Sequence, residues 1–159
     1  MSEGEKTRLV AWNRELSAAH DRLRRALRVA RDAVDGASDA GEHASVRTDL
    51  LLYCHGFCVA LGGHHVGEDV ALFPELSARH PELRATIAKL TQDHEMIGTL
   101  LGQFERAIAA DAGRDVLSRH LEGLAAIMES HFRYEERELL GILATLDLDA
   151  DPADALGPL

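Results

Sequence analysis

Little in this chain can build a β-sheet. Aromatic residues make up 4% of it, and β-branched residues nowhere alternate with polar ones over the length of a strand. Prolines number four, so long helices meet few interruptions. Positive charge is also short: 17 Lys and Arg stand against 27 Asp and Glu, a formal net charge of −10. Such a surface repels nucleic-acid phosphates, which argues against DNA or RNA as a partner. The basic run Arg22, Arg24, Arg25, Arg28, Arg31 is the exception and reads as a solvated helix face. No apolar run approaches the length of a membrane span. Residues Met1 to Arg8 are polar and carry no signal-peptide core, so a cytoplasmic protein is the expectation. The two cysteines, Cys54 and Cys58, lie four apart on an expected helix. That geometry makes a bond between them awkward, so both are read as free, buried thiols.

What is abundant favours helix: Ala, Leu, Arg and Glu dominate. Four segments carry apolar residues at helical spacing. The first, from about Lys6 to Val34, has the stripe Leu9, Trp12, Leu16, His20, Leu23, Leu27, Ala30, Val34, and a small, Gly-containing run after Asp35 ends it. The second begins near Ser45, a plausible N-cap, with Leu50, Cys54, Phe57, Leu61, His64, Glu68, Leu72; Pro74 limits its extent. Gly62 and Gly63 weaken its interior, and close approach of a neighbouring helix would explain them. The third opens at Pro81 and carries Ile87, Leu90, His94, Ile97, Leu101, Phe104, Ile108. The fourth, after Gly113, carries Leu117, Leu121, Leu124, Met128, His131, Glu135, Leu139, Ile142. The spacing predicts an all-α protein, an up-down-up-down four-helix bundle over residues 1–146, with an irregular acidic tail at 147–159.

Nine histidines is the compositional oddity. His20, His64, His94 and His131 each fall on the apolar stripe of a different helix, near its middle, so a bundle brings four imidazoles to one axis. Two have a carboxylate four residues on, His64 with Glu68 and His131 with Glu135, stacked on the same face. One histidine on a stripe is usually an ordinary core or boundary residue. Two facing buried carboxylates are different, because desolvation and mutual repulsion oppose their charge unless cations lie between them. Two metal ions remove that penalty. The remaining histidines read as bystanders. His43 and His80 lie in loops. His55 and His120 are too far round or along their helices. His65 points about 100° from His64, which suits a supporting or surface role.

These residues resemble the hemerythrin-like, or HHE cation-binding, family across roughly Trp12 to Leu143. The resemblance lies in Ala19-His20-Asp21, in His64-His65-Val66-Gly67-Glu68-Asp69 leading to Leu72-Phe73-Pro74, in Asp93-His94-Glu95, and in His131-Phe132-Arg133-Tyr134-Glu135-Glu136. It implies two iron ions with an oxo or hydroxo bridge, His20 and His64 on one, His94 and His131 on the other, and Glu68 and Glu135 spanning both. Oxygen-carrying hemerythrins have a second histidine one turn after the one matching His94; this chain has Gly98. Their last carboxylate is an aspartate five residues after its histidine; here Glu135 comes four after His131, with Glu136 at the fifth place. Gln92, Glu95 and His65 are the candidates to fill the gap left at Gly98.

A missing ligand leaves more positions for small molecules and favours turnover over reversible oxygen carriage. The resemblance therefore implies a di-iron oxidoreductase acting on hydrogen peroxide, a catalase-like disproportionation, and reacting with nitric oxide or O2. Tyr134 is a candidate proton donor. The alternative is an iron- or oxygen-binding or sensing module without turnover. Ferritin-like oxidation is a weaker reading, because that class uses Glu-x-x-His pairs, and zinc also suits these ligands. Oligomeric state is open.

Overall fold

The computed structural model describes residues 10–36 and 44–158, without the side chains of residues 44–48. Residues 1–9 and His43 lie outside what is described; the first helix starts at Trp12, with Val10 and Ala11 not yet helical, and the second is already helical at Ala44, so Ser45 lies inside it and does not cap it. No strand forms among the described residues.

Four long helices form the bundle. They are α1 (Trp12–Asp35), α2 (Ala44–Gly67), α4 (Arg84–Ala109) and α5 (Arg114–Leu143); α3 (Phe73–Arg79) and α6 (Pro152–Leu156) are short. Packing runs α1 on α2, α2 on α4, α4 on α5 and α5 back on α1, a closed ring of consecutive helices. Every predicted stripe residue from Trp12 onward is buried except Ile142, which cedes its place to Leu143.

Helix two runs beyond the predicted stop at Pro74. Proline has no N–H to bond backwards, and the chain accommodates it by widening into a π turn, Glu68–Leu72, before continuing as α3. The Phe73 N–H reaches back five residues to the Glu68 carbonyl. The bundle is then closed by a turn of 3-10 helix, Pro81–Leu83, leading into α4.

The tail is not irregular throughout. After Leu146 the chain folds back. Asp151 caps α6 by accepting from the Ala153 N–H at 3.0 Å, and Ala155 and Leu156 are buried. The sequence composition hides this, because the burial comes from only a few small residues set on helix two. The close approach expected at Gly62 and Gly63 is made by the tail, at Gly63, where a Cβ on Gly157 would lie 3.1 Å from the Gly63 carbonyl carbon, and again one turn later. A Cβ on Gly67 would come within 3.0 Å of the Ala155 and Asp154 backbone, whereas one on Gly62 meets nothing. The approaching partner is the tail, not a bundle helix.

The interior is divided. One apolar cluster holds Leu23, Leu27, Phe57, Leu61, Phe104 and Met128 among others; a second holds Trp12, Leu16, Leu72, Phe73, Leu90 and Leu139. Buried polar residues lie in the layer of the helices between them.

Candidate metal centre

That layer contains His20, His64, His65, Glu68, His94, His131 and Glu135, all buried, with both glutamates fully so. The six residues singled out in the sequence are brought together, and a seventh joins them. His65 was expected at the surface or in support. It is buried because α2 packs between α1 and α4 and also under α6, so its inward face is wider than one stripe. Its ring stacks on His94, with centroids 3.9 Å apart. The other two candidates for the gap at Gly98, Gln92 and Glu95, are exposed. A Cβ on Gly98 itself would meet nothing within 4 Å.

Each of the four stripe histidines is tied by its outer nitrogen. His20 Nδ1 bonds Glu136 Oε1 at 2.9 Å, His94 Nδ1 bonds Asp69 Oδ1 at 2.8 Å, His131 Nδ1 bonds Asp93 Oδ2 at 3.1 Å, and His64 Nδ1 bonds the Leu156 carbonyl at 2.7 Å. All four acceptors are oxygens without a proton to give, so Nδ1 carries the hydrogen and Nε2 is left as an inward lone pair. Sequence reasoning missed these acceptors. Three had a readable cue, an acid adjacent to a ligand candidate: Asp69 after Glu68, Asp93 before His94, Glu136 after Glu135. The Leu156 carbonyl had none, since a backbone atom leaves no mark in composition.

The inward atoms converge on acceptors. Glu68 Oε1 lies 3.2 Å from His64 Nε2 and 3.5 Å from His94 Nε2. Glu135 Oε2 lies 3.2 Å from His131 Nε2, and its Oε1 3.5 Å from His20 Nε2. Each carboxylate thus sits between two histidines from different helices. None of the four glutamate oxygens, nor the Nε2 of His20, His64 or His65, makes a hydrogen bond among the described residues. His94 Nε2 and His131 Nε2 face each other at 3.1 Å. Two lone pairs at that distance repel, but a cation about 2.1 Å from each nitrogen turns the repulsion into coordination. The residues present therefore fit a metal, in two groups whose ligand atoms lie within 4.8 Å of one another: His20, His64, Glu68, Glu135, and His65, Glu68, His94, His131.

Protonation supports this. Burial pushes His64 down to about 3 and His65 well below its ordinary value, and burial likewise lowers His94. Neutral imidazole is the form that binds metal. Burial would also lower His20, but Glu135 and Glu136 outweigh it and raise it. Burial, then the charge of Glu135, pushes Glu68 well up, so without a cation the two carboxyls share a proton.

Other predicted residues lie apart. Tyr134 is half-buried, its ring under Lys89 Nζ at 4.7 Å and beside the Arg137 guanidinium at 5.2 Å. It lines an open groove of about 720 Å³ with Asp93 and His131. His55 is exposed, His80 and His120 are half-buried, and Cys54 and Cys58 are free and buried as expected. The basic run is not wholly solvated: Arg24 binds Glu129 at 3.0 Å and Glu136 at 3.1 Å and lies over the Phe132 ring.

No helix among the described residues is long and apolar enough to cross a membrane. Comparison with curated proteins finds no match. Comparison with solved structures finds none either. The family model described as hemerythrin HHE cation binding domain matches residues 13–143. With most of its length inside that match, and with inward histidines and glutamates set as a cation site requires, the chain belongs to the hemerythrin HHE cation-binding family.

Proposed function

We propose that this chain is a non-haem di-iron protein that reacts with small oxidants, hydrogen peroxide foremost and nitric oxide or O2 at the same site. His20 and His64 would hold one ion, His94 and His131 the other, with Glu68 and Glu135 reaching both. The observation that carries this is a buried cluster of polar atoms left without hydrogen-bond partners among the described residues: the four oxygens of Glu68 and Glu135 and the Nε2 of His20, His64 and His65. Positive charge placed among these atoms relieves the cost of burying them. When bound, iron supplies the two-electron redox capacity by which one peroxide is oxidised to O2 while another is reduced to water.

The protein's own residues do the rest. Asp69, Asp93 and Glu136 hold three imidazoles in the orientation that presents Nε2 inward and make those rings stronger bases. The apolar clusters on either side exclude water from the layer. The groove beside Asp93 and His131 brings solvent to the edge of the site, where Tyr134 can exchange protons.

A second reading, O2 or iron binding without turnover, is favoured by one observation. His65 is buried against His94, so the His94–His131 side has a third imidazole within reach to replace the one missing at Gly98. One experiment separates the two. Purified chain is loaded with ferrous iron, its metal content and near-ultraviolet and visible spectrum are recorded, and O2 release from peroxide is measured against free-iron controls. Two irons per chain with O2 release above the controls is the expected result. Two irons without turnover selects the binding reading, and no stoichiometric iron overturns both.

A further inference from the structure

The acceptors behind the four histidines follow a rule with one break. Going round the bundle, Asp69 beside Glu68 on the α2 rod serves His94 on α4, Asp93 beside His94 serves His131 on α5, and Glu136 beside Glu135 serves His20 on α1. The next member would be Asp21, beside His20, serving His64 on α2. Asp21 instead is exposed and pairs with Arg24 at 3.1 Å. Its place is taken by the Leu156 carbonyl, at the shortest of the four distances.

The segment carrying that carbonyl is fastened at several points. Trp12 Nε1 donates to the Leu148 carbonyl at 3.0 Å, and Arg79 donates to the Asp147 carbonyl. Asp151 caps α6, and Ala155 and Leu156 enter the apolar cluster around Trp12. The final contact is between bare backbones. Gly157 has φ +92°, and a Cβ there would lie 2.9 Å from the Cα and N of His64. Gly67 receives the Asp154 and Ala155 backbone from the other side. A glycine on each partner lets the strap lie directly on the turns that present His64 and Glu68.

We propose that this strap, residues 147–158, belongs to the metal centre, with Leu156 as a positioning residue: its carbonyl orients His64, so docking of the strap and retention of the ion on the His20–His64 side are coupled. The inference rests on the di-iron reading above. It adds an asymmetry. Three histidines are backed by carboxylates within the bundle, whereas His64 is backed by a neutral carbonyl on a segment outside the four long helices. The ion on that side is therefore the first to leave.

The test uses the full chain loaded with ferrous iron. Gly157→Val forces the strap off, because the side chain clashes with the His64 backbone and is strained at that φ. The expected result is loss of about 10–100-fold in affinity for one of two ions, with the other unchanged. Gly141→Ala, on an open helix face, should keep both ions at wild-type affinity. Coupling is reciprocal, so strap amides of the wild type should exchange more slowly with iron than without it. A Gly157→Val chain whose strap amides exchange freely yet holds both ions at wild-type affinity overturns the proposal. Should that variant fail to fold by circular dichroism, equal strap protection in metal-free and iron-loaded wild type overturns it instead. A wild type that binds no iron sinks the di-iron reading itself, which neither of those results does.

Discussion

Glu68 and Glu135 are fully buried, and in the metal-free chain burial and the charge of Glu135 push Glu68 well up, so Glu68 opposes folding at neutral pH. Glu68→Gln keeps the shape and removes the carboxyl that burial forces to hold a proton. It should raise the stability of the metal-free chain by about 1–3 kcal/mol while weakening iron uptake. Thermal unfolding with and without iron checks both signs; a variant less stable in both states would contradict the acceptor-cluster account. The cysteines test burial by a different route. Burial pushes the Cys54 thiol up to about 11 and the Cys58 thiol up to about 12, with Glu105 adding to the latter. Their folded values lie above the ordinary 9.0, so their contribution to stability is whole below that pH and is lost as pH rises through 11 and 12. At pH 8 both stay protonated, and alkylation of the native chain should be slow until denaturant is added. Rapid labelling of the native chain at pH 8, read by mass spectrometry, would contradict this. Among residues, the six polar side chains that meet in the layer were legible because each breaks the apolar stripe of its helix. His65 was not, because one wheel position does not reveal how many neighbours a helix has.

At the scale of elements, the π turn Glu68–Leu72 is the place where sequence and architecture meet. Glu68 faces the site by its four-residue offset from His64, Pro74 removes a backbone donor further on, and Asp69, inside the widened turn between them, reaches His94 on α4. Pro74→Ala restores the donor and allows an ordinary α turn, which would rotate one of the two away. Helix content should hardly change, whereas iron per chain should fall. Circular dichroism and metal analysis on the same sample decide it, and unchanged iron content would show that the turn does not set the site. The predicted helix stop at Pro74 followed the usual consequence of proline. The structure differs because α3 has its own buried side chains, Phe73 and Leu76, and these hold the chain in helix beyond the break.

At the scale of the molecule, a polar layer separates two apolar clusters, so a metal held in that layer would couple the halves of the bundle. Iron at about 100 times its dissociation constant should stabilise the fold by about 2.7 kcal/mol. For a chain of this length that raises Tm by about 5–10 °C, and chelation should reverse it. Trp12, the single tryptophan, lies in the cluster beside the strap and reports on that half. In the metal-free chain its fluorescence should change before the far-ultraviolet signal, and with iron the two transitions should coincide. Coincidence in both states would mean that the layer is no weak seam.

The sequence by itself determined the helices, their inward faces and the six side chains that meet, because a 3.6-residue period writes each helix's buried face into local order and places those six residues on it. Only the tertiary structure decided which oxygen backs which imidazole, that His65 is enclosed, and that the tail returns to His64. Those contacts join residues far apart in the chain, across helix packing and bare backbone, and no local pattern encodes them.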